Sequence, residues 1–229
     1  MRNSSPVILA LDFNDMASTV EMINLTKEHI GIYKLGLEFY LAHGKSGVKE
    51  IQSRFNGIEI FLDLKLHDIP NTVAGACRSV ADLNPKFLTV HASGGSKMIS
   101  AASSTLPNVE ITAVTILTSL DQEQMIAMGL SENIENLTLS LAKNAVNSGA
   151  RAIVSSPQEV SLLRKHLGEK VTLITPGVRP SGAERDDQER VMTPQEAIEA
   201  GADFVVIGRP ITKASDPKQA AEAITASLR

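Results

Sequence analysis

Short runs of apolar, β-branched residues recur along the chain, and each is followed by a longer segment of helical periodicity. Runs of this length, bounded by Gly, Pro, Asn or Asp, predict buried strands. The eight strands predicted in this way cover residues 7–11, 32–35, 58–64, 87–90, 111–117, 152–154, 172–174 and 204–207.

The segments between these strands carry apolar residues every three or four positions, which is typical of helices that bury one face. Helices are predicted at residues 16–27, 72–83, 96–104, 133–148, 157–166, 194–200 and 217–228. Strands that alternate with helices form parallel βαβ units, and eight units in 229 residues predict an α/β protein, a single-domain (β/α)8 TIM barrel. An open doubly wound sheet is the alternative, but no Gly-x-Gly-x-x-Gly motif follows the first predicted strand.

The composition narrows the class of protein. Hydrophobic residues make up 43% of the chain and Trp is absent, which suits a core of aliphatic side chains around a parallel sheet. The net charge of -4 argues against a nucleic-acid-binding surface, which requires a basic stripe.

The single cysteine, Cys77, cannot form an internal disulfide, and we expect it to be a small buried residue. No apolar run approaches the ~20 residues of a membrane span, and the first residues lack a signal-peptide layout. We therefore expect a cytoplasmic protein that binds neither nucleic acid nor membrane.

One connection is longer than the others. Residues 176–192 follow the seventh predicted strand and contain Gly, Pro and a charged cluster. Loops of this length in a compact domain are usually functional lids or disordered segments. Because the segment lies beside a candidate phosphate site, we expect a mobile loop that closes over a bound phosphate.

Charged side chains collect where the predicted strands end, which is the edge at which barrel enzymes place their active sites. Asp12 follows the first strand, and Lys34 lies on the second. Asp63 and Lys65 are two residues apart at the end of the third strand, so the alternation of a strand points both side chains to one face. Asp68 lies just past this strand. The residues alone leave two interpretations open, an active site and a structural ion-pair network.

The eighth predicted strand runs directly into Gly208 and Arg209. Barrels often bind phosphate with the loops after strands seven and eight, through backbone N–H groups. Gly208 would let the backbone approach an anion, and Arg209 could bind it through two N–H groups. Gln188, in the long connection, could reach the same phosphate. An ordinary strand-to-loop turn is the alternative interpretation.

Taken together, these motifs resemble those of the orotidine 5'-monophosphate decarboxylases of the bacterial type. The most specific are DLKLHDIPNT at positions 63–72 and PGVRP at positions 176–180. Shorter matches are ALD at 10–12, YKLG at 33–36, LTS at 117–119 and VIGRPI at 206–211. The motifs occur in the family's order from about Val7 to the last predicted helix, so the resemblance covers nearly the whole chain.

The resemblance implies that the protein converts orotidine 5'-monophosphate to uridine 5'-monophosphate and CO2, the last step of de novo UMP synthesis. It implies that Lys65 donates a proton to C6 of the pyrimidine, with Asp63, Lys34 and Asp68 of the partner subunit around it. The substrate contacts that it implies are Asp12, Lys34, Ile69, Thr72, Thr118, Pro176, Arg179, Gln188, Gly208 and Arg209. It also implies that no metal or organic cofactor is used, and that the protein is a homodimer in which Asp68 and Thr72 reach the partner's site.

Two other functions stay open at this point. A metal-dependent sugar-phosphate decarboxylase or aldolase-type barrel can carry a similar carboxylate–lysine pattern, although Lys34 and Lys65 would both repel a divalent cation. A non-catalytic sensor of nucleoside monophosphates would keep the barrel and the phosphate site. Such a binder would gain nothing from an array of two lysines and two carboxylates.

Overall fold

The structure is a computed structural model that describes residues 5–179 and 192–228. Eight parallel strands lie in these ranges: Val7–Leu11 (β1), Ile32–Leu35 (β2), Glu59–Leu66 (β3), Phe87–His91 (β4), Glu110–Val114 (β5), Ala152–Val154 (β6), Thr172–Thr175 (β7) and Phe204–Ile207 (β8). Each strand pairs with the next along the chain, and β8 pairs with β1, so the sheet closes into a barrel. The predicted (β/α)8 barrel is confirmed.

Helices alternate with the strands. Those of the described ranges are Met16–Thr26 (α1), Leu37–Arg54 (α2), Pro70–Val80 (α3), Gly95–Thr105 (α4), Gln122–Ala127 (α5), Ile134–Asn147 (α6), Val160–Leu167 (α7), Pro194–Glu199 (α8), Arg209–Thr212 (α9) and Pro217–Ala226 (α10). Local sequence explains several of their first residues. Asp15 accepts a hydrogen bond from the Ser18 N–H at the start of α1, and Thr193 and Glu196 form a capping box at the start of α8.

Helix α2 is missing from the prediction. Its sequence is interrupted by glycines, and Gly44 adopts a φ of 58°, which kinks the helix between two shorter segments. A periodic apolar pattern is hard to recognise in such a segment because the two halves do not share one continuous face. Helix α3 also begins two residues earlier than predicted, because Pro70 occupies its first turn.

The barrel interior below the mouth is filled with apolar side chains. Phe61 and Phe87 meet edge to face with their ring centroids 5.5 Å apart. The other buried residues of this cluster are Ile8, Ala10, Ile32, Ala152, Ile174 and Val206. A second, larger cluster lies between the sheet and the helices and includes Cys77, which is fully buried as expected. Burial raises the pKa of its thiol to about 11.

Two strands differ from the prediction in ways that shape the mouth of the barrel. Strand β5 ends at Val114, three residues before its predicted end, so Ile116 and Leu117 leave the sheet. Strand β3 continues to Leu66, two residues past its predicted end, but its pairing with β4 shifts register between Leu62 and Leu66. The irregular end of β3 carries Asp63 and Lys65, two of the charged residues of the candidate site.

Candidate active site

A cavity of about 230 Å³ opens at the carboxyl ends of the strands. Its charged residues are Lys34, Asp63 and Lys65, all three of which were predicted from the sequence. Thr118 and Pro176, two further predicted residues, also line it. The rest of the wall is mostly apolar and is formed by Phe61, Val114, Ile116, Leu117, Val154, Ser155 and Val206.

The three charged side chains form one connected array. The Lys65 Nζ atom lies 2.9 Å from Oδ1 and 2.8 Å from Oδ2 of Asp63. The Lys34 Nζ atom lies 3.4 Å from the same Oδ2 atom and 3.2 Å from Oδ1 of Asp12. The carboxylate of Asp63 thus stands between two ammonium groups, and Asp12 closes the array at its exposed edge.

Burial and the neighbouring charges have opposite effects on the pKa values of Lys34 and Asp63. Burial alone would lower the pKa of Lys34, but the carboxylates of Asp63 and Asp12 outweigh it and raise that pKa above its usual range. Burial likewise opposes ionisation of Asp63, yet Lys34 and then Lys65 outweigh it and lower the pKa of the carboxyl. Lys34 and Asp63 are therefore both charged at neutral pH.

Lys65 reaches this position through an unusual backbone conformation. Its φ is 47°, in the left-handed region that L-residues other than Asn and Asp rarely adopt. The sequence predicted that plain alternation along the strand would make Asp63 and Lys65 neighbours. They are neighbours, but the register shift at the end of β3 and the turned backbone of Lys65 accompany the contact.

The array also limits the size of its neighbours. A Cβ atom on Gly36 would lie 3.1 Å from the Lys34 Nζ atom and 3.3 Å from Oδ1 of Asp12. Such distances are tighter than ordinary van der Waals contacts, so a side chain here would push against the ion pair. The glycine of the YKLG motif therefore leaves room for the ammonium group of Lys34.

Asp68, Ile69 and Thr72 lie outside the array of their own chain. All three are exposed, and Oδ1 of Asp68 accepts a hydrogen bond of 2.6 Å from the Ile69 N–H. No ion pair joins Asp68 to Lys34 or Lys65 within the part of the chain that the structure describes. These three residues face outward beside the mouth of the barrel.

The residues predicted for a phosphate site lie at the ends of β7 and β8. Arg209 is half-buried at the start of α9, directly after Gly208. A Cβ atom on Gly208 would meet the Cβ atom of Ala10 at an ordinary distance of 3.5 Å. Arg179 is buried, and one of its Nη1–H groups donates to the Val178 carbonyl at 3.0 Å. Gln188 lies outside the described residues.

Sequence reasoning missed Thr89, a polar residue that β4 places beside the array, although it pointed to His91 at the end of the same strand. Thr89 is fully buried, and its hydroxyl donates to Oδ1 of Asp63 at 2.9 Å. His91 lies two residues further along, with its ring 5.3 Å from that of His67. Burial, followed by the charges of His67 and Lys65, lowers the pKa of His91. Alternation along β4 was the available signal, because Phe87 points into the barrel and Thr89 and His91 share its face.

The described residues form neither a metal-binding cluster nor a helix that could span a membrane. Within residues 5–179 and 192–228, no group of three or more His, Cys, Asp or Glu side chains is placed to hold a metal ion. Over the same ranges, no helix is both long enough and apolar enough to cross a membrane.

The fold and the charged cavity define a class, the barrel enzymes that act on small charged substrates at the carboxyl ends of their strands. The model of the orotidine 5'-phosphate decarboxylase / HUMPS family matches residues 5–224. The chain belongs to this family.

Named relatives cover the whole chain. It is 49% identical over 226 residues to the orotidine 5'-phosphate decarboxylase of Thermobifida fusca, and the alignment covers 99% of this chain and 97% of that protein. It is 46% identical over 229 residues to the protein of that name from Anaeromyxobacter sp. strain K, with both chains covered completely. Among solved structures, the orotidine 5'-phosphate decarboxylase from Lactobacillus acidophilus matches with a TM-score of 0.86 and 36% identity, over 98% of this chain and 99% of that one.

Proposed function

We propose that the protein decarboxylates orotidine 5'-monophosphate to uridine 5'-monophosphate and CO2, and that Lys65 protonates the reacting carbon. The observation that carries the proposal is the array of Lys34, Asp63 and Lys65 at the mouth of the barrel. Family membership and the names of the full-length relatives support the substrate and the reaction.

The charges suit the chemistry of this reaction. Cleavage of the bond between C6 and the carboxylate leaves its electron pair on C6, in the plane of the pyrimidine ring, where the π-system cannot delocalise it. The ammonium group of Lys65 can stabilise that charge and then transfer a proton to C6, so that CO2 and UMP are the products. The neutral amine of Lys65 afterwards regains its proton from solvent.

Asp63 has two roles in this proposal. It holds the ammonium group of Lys65 at 2.8 Å and keeps it oriented toward the cavity. Its own negative charge would lie near the carboxylate of the substrate, which disfavours the bound ground state relative to the transition state, where that charge has moved. The apolar wall formed by Ile116, Val154 and Val206 suits the uncharged CO2 that leaves.

The remaining site residues are assigned to parts of the substrate. We assign the ribose hydroxyls to Asp12 and Lys34, and the edge and face of the pyrimidine to Thr118 and Pro176. We assign the phosphate to Gly208 and Arg209, joined by Arg179 and Gln188 from the 176–192 segment. The fold supports this arrangement because β7 and β8 end next to each other, on the side where barrels commonly bind phosphate.

Closure of the 176–192 segment over the phosphate is a further part of the proposal. The phosphate is remote from the bond that breaks, so its binding energy can be used to close a loop and to exclude water from the charged array. Arg179 supports this idea, because it lies at the edge of the segment and its backbone N–H donates to the Met192 carbonyl at 3.0 Å.

We also propose a homodimer in which Asp68 and Thr72 enter the site of the partner. The starts of α2 and α3, which follow β2 and β3, support it because the apolar residues Leu37, Leu41 and Ile69 there expose 46%, 80% and 66% of their surface. Large apolar side chains grouped near charged ones mark many interfaces between proteins. The cytoplasmic location expected from the sequence stays a prediction.

The metal-dependent alternative is less compatible with the site. Lys34 and Lys65 approach the carboxylate of Asp63 to 3.4 and 2.8 Å, and a divalent cation that used the same oxygens would have to displace them. The description of the family names a second group of proteins, HUMPS, beside the decarboxylases. The relatives that match over the full chain are named as decarboxylases.

The test is the decrease in ultraviolet absorbance as orotidine 5'-monophosphate is consumed, measured with and without EDTA. We expect rapid turnover that EDTA leaves unchanged. Turnover that EDTA abolishes would favour the metal-dependent class. A folded protein that binds UMP but consumes no substrate would instead be a sensor, and the proposal would be wrong.

Mixed dimers test the contribution of the partner subunit. Lys65→Ala and Asp68→Asn chains are each expected to be nearly inactive, and they are mixed after dissociation and allowed to reassociate. If Asp68 acts across the interface, about one quarter of wild-type activity returns, because half of the dimers are mixed and each has one intact site. No recovery would show that Asp68 acts within its own chain.

A further inference from the structure

Thr89 occupies a special place in the pairing of β3 with β4. Leu62 pairs with Leu88 and Leu66 pairs with Val90, so three residues of β3 lie opposite the single residue Thr89. A bulge of this kind leaves backbone groups without their ladder partners. The side chain of Thr89 lies at this gap and is fully buried.

The hydroxyl of Thr89 fills the gap with two hydrogen bonds. Its oxygen accepts from the backbone N–H of Lys65 at 2.8 Å, and its proton is donated to Oδ1 of Asp63 at 2.9 Å. The direction of each bond is fixed, because a backbone N–H can only donate and an ionised carboxylate can only accept. One hydroxyl therefore connects the backbone of Lys65 to the carboxylate of Asp63.

Both groups that it connects require support. Lys65 has a φ of 47°, a conformation that a lysine keeps only when its surroundings hold it there. Asp63 is buried and ionised, and a hydrogen bond to its charged form favours that form. If the partly buried N–H of Lys65 lost its acceptor, a different backbone conformation would be favoured at this residue.

We propose that Thr89 is a positioning residue for the reaction, acting through Lys65 and Asp63 and not by contact with the substrate. The inference rests on the proposed function. The hydroxyl fixes the left-handed turn that directs the ammonium group of Lys65 into the cavity, and it aligns the carboxylate that holds this group. A small displacement of a catalytic group can cost about 100-fold in rate, so the support of one hydroxyl matters.

Three substitutions separate this role from ordinary packing. Thr89→Val keeps the shape and removes the hydroxyl, whereas Thr89→Ser keeps the hydroxyl and removes the methyl group. Thr112→Val is the matched control, because Thr112 pairs with Thr89 in the sheet, is fully buried, and donates its hydroxyl to the Glu110 carbonyl of its own strand.

The expected result is a split between kcat and KM. Thr89→Val lowers kcat for orotidine 5'-monophosphate about 100-fold and changes KM by less than about threefold, because the phosphate and ribose contacts remain. Thr89→Ser and Thr112→Val stay within about fivefold of the wild-type kcat. In Thr89→Val the acid limb of the kcat profile moves to higher pH, because Asp63 has lost a donor that lowers its pKa.

Hydrogen exchange at the Lys65 amide gives a readout that does not depend on turnover. We expect its protection to fall at least about tenfold in Thr89→Val and to be retained in Thr89→Ser and Thr112→Val. A protein that folds but never turns over the substrate would refute the proposed function, and this exchange would still decide whether Thr89 holds the backbone of Lys65.

Three results would overturn the inference. The first is a folded Thr89→Val protein with wild-type kcat and wild-type protection at Lys65. The second is a Thr89→Ser protein as impaired as Thr89→Val, which would assign the effect to the methyl group. The third is an equal loss of kcat in Thr112→Val, which would assign it to general repacking of the barrel.

Discussion

Replacement of Asp63 by asparagine removes the carboxylate that both cavity lysines contact. The side chain keeps its size, so the change is one of charge. At an effective dielectric constant near 20, the attractions at 3.4 and 2.8 Å are about 5 and about 6 kcal/mol before desolvation is subtracted. Burial of the three groups offsets much of this gain.

The net cost follows from how much each lysine depends on Asp63. Removal of one partner of a buried pair typically costs about 3–5 kcal/mol. Lys34 keeps Asp12 as a second partner, and the side chain of Lys65 is 31% exposed, so solvent screens its pair. We therefore expect Asp63→Asn to lower the free energy of unfolding at pH 7 by about 3 kcal/mol, the lower end of this range.

Asp12→Asn is the matched control. Asp12 contacts the same Lys34, but its side chain is 59% exposed, and exposed pairs contribute about 1 kcal/mol or less. Urea unfolding followed by far-ultraviolet circular dichroism compares the variants, because the chain has no Trp and only two Tyr for fluorescence. Equal stability of the two variants, or an Asp63→Asn protein more stable than wild type, would mean that Asp63 gives no more net stabilisation to the folded chain than the exposed Asp12 does.

The pH dependence has a definite sign. The pKa of Asp63 is lower in the folded chain than in the unfolded one, so its stabilisation is present above the unfolded value, about 4, and is lost below it. The difference between wild type and Asp63→Asn should be complete at pH 7 and shrink as the pH falls below about 4. A difference that grows toward acid pH would contradict the lowered pKa.

Three further results are expected. Lys65→Gly should be about 1 kcal/mol more stable to urea than Lys65→Ala, because a φ of 47° strains alanine and not glycine. Equal stability of the two variants would mean that the backbone is not strained at this position. Gly36→Ala should raise KM about tenfold with little change in thermal stability, because its Cβ atom would lie 3.1 Å from the Lys34 Nζ atom. An unchanged KM would mean that the ion pair of Lys34 and Asp12 moves aside freely. Arg209→Met should weaken inhibition by UMP about 10- to 100-fold and leave inhibition by uridine unchanged, because only UMP carries the phosphate; equal losses would remove Arg209 from the phosphate site.

Sequence patterns predicted the barrel because its signals are local and repeated. Each strand is a short apolar run, and each helix has its own period, so errors at single elements do not change the order. Helix α2 is absent from the prediction because Gly44 divides its pattern, yet the strands on either side of it are placed correctly. The end of β5 is predicted three residues too late because Ile116 and Leu117 are apolar for another reason, since they line the cavity.

The charged residues of the site could be predicted from the sequence, but the backbone conformation that positions them could not. Asp12, Lys34, Asp63 and Lys65 stand at predicted strand ends, and charges in such positions must meet one another or a ligand. The left-handed conformation of Lys65 has no local signal, because it accompanies the register of β3 against β4. The position of Thr89 beside Asp63 and Lys65 depends on the same register, and the pairing between two strands cannot be read from the sequence of one strand alone.

In the proposed reaction, Lys65 stabilises and protonates the carbon that loses CO2. The most direct measurement compares kcat/KM of wild type and Lys65→Ala for orotidine 5'-monophosphate, with folding checked by circular dichroism and UMP binding by calorimetry. We expect a loss of at least about 10⁴-fold while UMP still binds, because a proton donor and an electrostatic stabiliser are removed together. A Lys65→Ala protein that keeps kcat/KM within about tenfold of wild type would contradict this role. A proton donor typically contributes about 100-fold or more to the rate.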